Sequence, residues 1–211
     1  MLFAISGRLG QLLPALFFGA GCALAIGWLR RADRRDRALA LLAFACLGIS
    51  RGNIGLAAIG LLTLTVFSAP PARAATARLS LFTLVGSLAG ALALSSWVPP
   101  RLRGVDEIAT YGREFALSLV QPSGWPIVAI GFAFALFTFV YRVRNSDGAQ
   151  SNDSKRESLA LATVTVLAFT ERLLTVRSVS NATSAGELLP VVLSAMLFAG
   201  VVLAPGIRRA S

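Results

Sequence analysis

Residues 38–69 read ALALLAFACLGISRGNIGLAAIGLLTLTVFSA, two apolar runs at 38–50 and 54–69 parted by Arg51-Gly52-Asn53. A guanidinium within such apolar sequence is costly unless it reaches water or a partner. Either one long span buries Arg51, or a tight hairpin of two short spans carries it to a membrane face. The second reading is the better one, because it sets the direction of every later span in agreement with the charges.

The surrounding composition is that of a membrane protein. Hydrophobic residues make up 55% of 211 and charged residues only 14%, and the apolar residues come in blocks. One membrane domain accounts for the length, each span taking about 20 residues plus a loop. The net charge of +10 does not indicate nucleic acid. The arginines cluster at the ends of apolar runs, where they orient spans and meet anionic headgroups, and no basic stripe interleaved with aromatics is present.

The first run, 12–29, is followed by Arg30, Arg31, Arg34, Arg35 and Arg37. A cleaved signal peptide has its charge before the apolar run, so this is a retained span with its C-terminal end in the cytoplasm. The expected architecture is an all-α polytopic bundle of about seven spans, N-out and C-in, forming a single membrane domain over 1–211. The spans are 12–29, 38–50, 54–69, 79–98, 126–141, 158–176 and 190–206, with an outer loop at 99–125. This places thirteen basic residues inside and six outside, with Arg172 inside span six. Merging spans two and three would put the basic loop 142–156 outside. Spans two and three are short, which implies local bilayer thinning or ends buried in protein.

Within the outer loop, Val105, Ile108, Ala109, Gly112, Phe115, Ala116, Leu119 and Val120 recur at helical spacing. The pattern predicts an amphipathic helix over 105–120 on the outer membrane face, ended by Pro122-Ser123-Gly124. Such a helix would roof the spans and bring Arg113 and Glu114 toward Arg51. Glu171-Arg172 reads as an intrahelical pair near the outer end of span six.

There is no histidine, and the two cysteines, Cys22 and Cys46, lie in apolar runs. His-ligated haem, a zinc site and a histidine-activated nucleophile are therefore excluded, and no cofactor is implied. The cysteines read as small buried apolar residues.

Three segments, LGISRGNIGLAAIGLL at 47–62, GREFALSLVQPSGWPIVAIGF at 112–132 and LALATVTVLAFTERLL at 159–174, together resemble the C-terminal part of the O-antigen ligase and O-antigen polymerase superfamily. The resemblance implies a protein of the bacterial inner membrane that acts in polysaccharide or lipopolysaccharide assembly. Its ligand would be a polyprenyl-diphosphate-linked glycan. Arg51 would take the family's place beside the diphosphate, where a guanidinium matches phosphate oxygens bidentately. The family's outer-loop histidine precedes a glycine by about eleven positions. Counting back from Gly124 reaches Arg113, with Glu114 next to it, so by the resemblance Arg113 would be a second diphosphate contact and Glu114 the candidate general base. Two other functions fit the residues. One is a small transporter of three-plus-one-plus-three plan, with Thr63, Thr65, Thr83, Ser87, Thr163, Thr165, Thr170 and Glu171 as its polar path. The other is a non-catalytic subunit bound to other membrane subunits.

Overall fold

The computed structural model describes residues 2–50, 53–94, 101–120, 151–176 and 189–207. Seven helices lie in these segments: α1 (Leu2–Arg31), α2 (Arg34–Ile49), α3 (Ile54–Phe67), α4 (Pro70–Ala93), α5 (Val105–Val120), α6 (Ser151–Leu174) and α7 (Leu189–Ile207). A two-residue ladder joins β1 (Arg101–Leu102) to β2 (Thr175–Val176), antiparallel, with Arg101 opposite Val176. The fold is all-helical apart from this clip.

The chain breaks between Ile49 and Ile54, so 38–69 forms two helices and not one. Ser50 leaves helical geometry with ψ 108°, and its N–H and Oγ both bond back to Leu47 O. Asn53 Nδ2 donates to Ser50 O at 2.6 Å. Polar side chains thus satisfy carbonyls that α2 would otherwise leave bare at its C-terminus.

Several expected boundaries move. Span four was expected from residue 79, but α4 begins at Pro70, with only Ser68 and Ala69 between it and the end of α3 at Phe67. Prolines at the first two helical positions suit a helix start, since neither position needs its N–H. Span six extends backward to Ser151 and stops at Leu174, because residues 175–176 pair with β1. The predicted helix over 105–120 is α5. Span five and the Pro122-Ser123-Gly124 stop lie outside the described residues. By length and apolarity, two described helices can cross a membrane, at Leu13–Arg31 and Pro70–Ala93; Ile54–Phe67 and Pro190–Ala199 are apolar but shorter. The structure therefore marks two candidate spans where the sequence reading expects seven.

The core lies among α1, α2, α3, α6 and α7, around Phe18, Phe44, Leu47, Leu56, Leu64, Leu161 and Leu197. Phe44, 1% exposed, is wedged between Gly21 of α1 and Gly60 of α3. Helix α4 seats itself differently, through the small residues Thr76, Ser80, Ser87 and Ala91. Their short side chains let backbones approach closely, as at packed membrane-helix contacts. Across this seat the hydroxyls of Ser80 and Thr65 are hydrogen-bonded at 3.1 Å, and Ser87 Oγ stands 3.4 Å from Ala45 O.

Polar contacts concentrate at the two ends of the bundle. At the end away from the 50–53 turn, Trp28 Nε1 donates to Ser68 Oγ at 3.2 Å, and Arg30 Nε lies 3.2 Å from the buried Glu157. Arg156 donates to Phe67 O, capping α3. At the turn end Arg172 reaches Asn53. Fifteen residues separate Asn53 from Ser68 on α3 and Glu157 from Arg172 on α6. At 1.5 Å per residue the two polar layers stand about 22 Å apart on both helices.

Candidate functional site: the polar network at the hairpin mouth

The mouth is built from three elements that are far apart in sequence. Asn53, at the start of α3, is 5% exposed and uses both ends of its amide. Nδ2 holds Ser50 O, and Oδ1 accepts a 2.6 Å bond from Arg172 Nη2 on α6, 119 residues away. Arg172 is itself 7% exposed, so a charge is held almost out of contact with solvent. That is tolerated where the group is hydrogen-bonded. The neighbouring Glu171 carboxylate stands 3.8 Å from Arg172 Nε and accepts from Thr175 Oγ1 at 3.3 Å. The expected intrahelical pair is present, yet the shorter bond runs to Asn53.

The third element is the residue that follows β1. Arg103 Nη1 donates to Arg172 O at 2.7 Å and Leu173 O at 3.2 Å, and Arg103 N donates to Leu174 O at 2.8 Å. These are the last carbonyls of α6, where a helix end carries partial negative charge and a cation is favoured. The same guanidinium lies 3.7 Å from the ring centroid of Tyr111, a cation–π contact. Tyr111 is 4% exposed and is the residue that anchors α5. The network thus runs from the 50–53 turn through Arg172 and Arg103 to α5.

Arg51, the principal predicted contact, lies outside the described residues, although both its flanks, Ser50 and Asn53, belong to this network. Arg113 and Glu114 are exposed on α5. At about 100° per residue Glu114 falls about 60° from the buried Tyr111 and Arg113 about 160°, so Arg113 is turned away from the anchored side. Arg101 and Glu107 form a further ion pair at 3.3 Å on the exposed side. The apolar stripe expected to press on the membrane remains uncovered at Val105, 82% exposed.

Among the described residues no three His, Cys, Asp or Glu side chains stand close enough to hold a metal ion. The crevice lined by Cys22, Phe44, Gly60, Thr63, Leu161 and Val164 offers a ligand no charged group. Both thiols are free and Cys22 is buried in the core. The hydroxyls of Thr63, Thr65, Thr83, Ser87 and Thr170 donate to carbonyls one turn back on their own helices, at 2.7–2.9 Å.

Asn53, Arg103 and Tyr111 were absent from the residues singled out by sequence. A signal for one of them existed: a charge in an apolar span needs a partner at its own depth, and Asn53 is the amide at that end.

An all-helical bundle closed at one end by an arginine–asparagine tie is the class that fold and site define. Compared with known proteins, the chain matches no family model, no curated protein and no solved structure.

Proposed function

We propose that this chain is a multi-pass protein of a bacterial inner membrane, with seven spans, N-terminus outside and C-terminus inside. Its hairpin mouth binds the diphosphate of a polyprenyl-linked glycan during polysaccharide assembly. Large apolar side chains are exposed on six of the described helices, among them Leu16 of α1, Leu42 of α2, Leu62 of α3, Phe82 of α4, Leu117 of α5 and Phe169 of α6. A surface of this kind suits lipid better than water. The charges separate by end. The end with Trp28 carries eight described arginines (30, 31, 34, 35, 37, 73, 78 and 156) against Asp33, Asp36 and Glu157. Among the residues with described side chains, the mouth sets four arginines (101, 103, 113 and 172) against Asp106, Glu107, Glu114 and Glu171. The positive-inside tendency puts the first end in the cytoplasm and the mouth outside.

The observation that supports the ligand is the Arg172–Asn53 bond, which ties the start of α3, two residues after Arg51 in the sequence, to α6 at the mouth. Arg51 is the main diphosphate contact. Arg113 and Glu114 approach the ligand from the exposed side of α5, and a transfer step would use Glu114 as base. Replacing Arg51 by alanine is expected to weaken retention of a polyprenyl diphosphate by the purified protein about ten- to a hundredfold. Lysine should restore part of it, because it keeps the charge and loses the bidentate fork. Equal retention by wild type and Arg51→Ala would remove the glycan from the proposal. The non-catalytic subunit is the second reading, favoured by the open apolar side of α4 at Leu81, Val85, Leu88 and Leu92. Recovery in a stoichiometric membrane complex would support it.

The spacing of the polar layers, about 22 Å against a usual hydrocarbon thickness of about 30 Å, makes a thin bilayer the better host. Reconstituted in phosphatidylcholine, the protein is expected to show its highest thermal midpoint with acyl chains of about 14 carbons, falling towards about 20. A maximum at the longer chains would show that the two layers do not mark the bilayer edges.

A further inference from the structure

The geometry points to a binding site for the headgroup of an anionic phospholipid at the arginine-rich end, formed by Arg34, Arg37 and Arg73 around the Trp28–Ser68 pair. It rests on the membrane reading above and is separate from the glycan ligand, being at the opposite end of the bundle.

Trp28 is 6% exposed and fixed by its 3.2 Å bond to Ser68 Oγ. The Arg37 guanidinium lies 5.0 Å from the centroid of the Trp28 ring, and Arg73 Nη2 stands 3.5 Å from Ser68 O. Two guanidiniums therefore converge on one buried pair, from α2 and from α4. These helices run parallel: their first turns reach the same pair through Arg37 and Arg73, and further along Gly48 abuts Ser87 and Ile49 abuts Gly90. Carried back along both helices, that offset of about forty residues sets Arg34 level with the first turns of α4, where Arg73 stands. Arg34 also falls on the face of α2 that turns Ala45 and Gly48 to α4, three and four turns further on. Other charges nearby are already engaged: Arg31 with Asp36 at 2.7 Å, Arg30 with Glu157, and Arg156 on the α3 carbonyl. Arg34 and Arg73 are exposed and Arg37 is half-buried.

A lipid headgroup, and not free phosphate, fits the surface beside them. Arg35 heads a stripe with Leu39 and Leu42, 49% and 59% exposed, one and two turns on. Arg78 heads another with Phe82 and Val85, 74% and 57% exposed. Each stripe is cationic at its end and apolar along its length, the complement of an anionic amphiphile. The indole at the junction matches the aromatic level of a membrane interface.

The test is native mass spectrometry of the delipidated protein titrated with dioleoylphosphatidylglycerol or dioleoylphosphatidylcholine. The anionic lipid should bind more tightly, and the double variant Arg34→Gln/Arg73→Gln should weaken it about twenty-fivefold, at about fivefold per guanidinium. Arg101→Gln, at the other end, should leave it unchanged. A thermal midpoint like the wild type's establishes that the double variant is folded; if it is not, Arg34→Lys/Arg73→Lys should fold and retain the lipid. Equal binding of the two lipids, or an unaltered double variant, overturns the site. Displacement of the lipid by inorganic phosphate overturns the assignment to a lipid headgroup. Failure to co-float with phosphatidylcholine vesicles would sink the membrane reading instead.

Discussion

Asn53→Ala is expected to lower stability by about 2–4 kcal/mol, from the loss of one hydrogen bond to a charged group and one neutral bond. The substitution withdraws the 2.6 Å acceptor from Arg172, which is 7% exposed, and the 2.6 Å donor from Ser50 O. Arg172→Leu is expected to cost about 1–3 kcal/mol, since it strands a neutral acceptor in place of a charge. The double variant should be less destabilised than the sum of the two, because replacing both partners removes the stranded groups together. Denaturation of the detergent-solubilised protein measures all three. Additive losses would mean that the bond does not couple α3 to α6.

Gly60→Leu is expected to cost more than about 3 kcal/mol, beyond the usual range for overpacking. The Phe44 ring occupies the space where a side chain at residue 60 would go, and a Cβ at Gly21, on the other side, would stand 2.7 Å from Phe44 Cε1. Phe18 blocks retreat along a third direction, its ring edge-to-face with Phe44 at 6.5 Å. With three helices closing on one ring, neither backbone nor rotamer has room to adjust. Gly60→Ala should cost less, about 1–3 kcal/mol, and Phe44→Leu in the Gly60→Ala background should recover part of that loss. An unchanged thermal midpoint for Gly60→Leu would mean that α1, α2 and α3 do not meet at this ring.

These expectations separate what is local from what is not. The helical class, the break at Ser50–Asn53 and the extent of α5 were legible in the sequence, because each follows from periodicity or transfer cost within one segment. The gathering of arginines at one end was legible too, since charge placement relative to apolar runs needs no knowledge of neighbours. Residues 70–78, left between the expected spans 54–69 and 79–98, are the first turns of α4, begun by Pro70 and Pro71, and Ser80 meets Thr65 of α3 only once the two helices pack. The partner of Arg172 was hidden for a similar reason. Glu171 is next to it in sequence, while Asn53 is next to it in space, and that choice depends on α3 and α6 packing side by side. The sequence by itself determined where helices form and which end is basic, because both are properties of short stretches. Only the tertiary structure decided which buried polar groups meet and which glycines must stay bare, because both depend on which helices become neighbours.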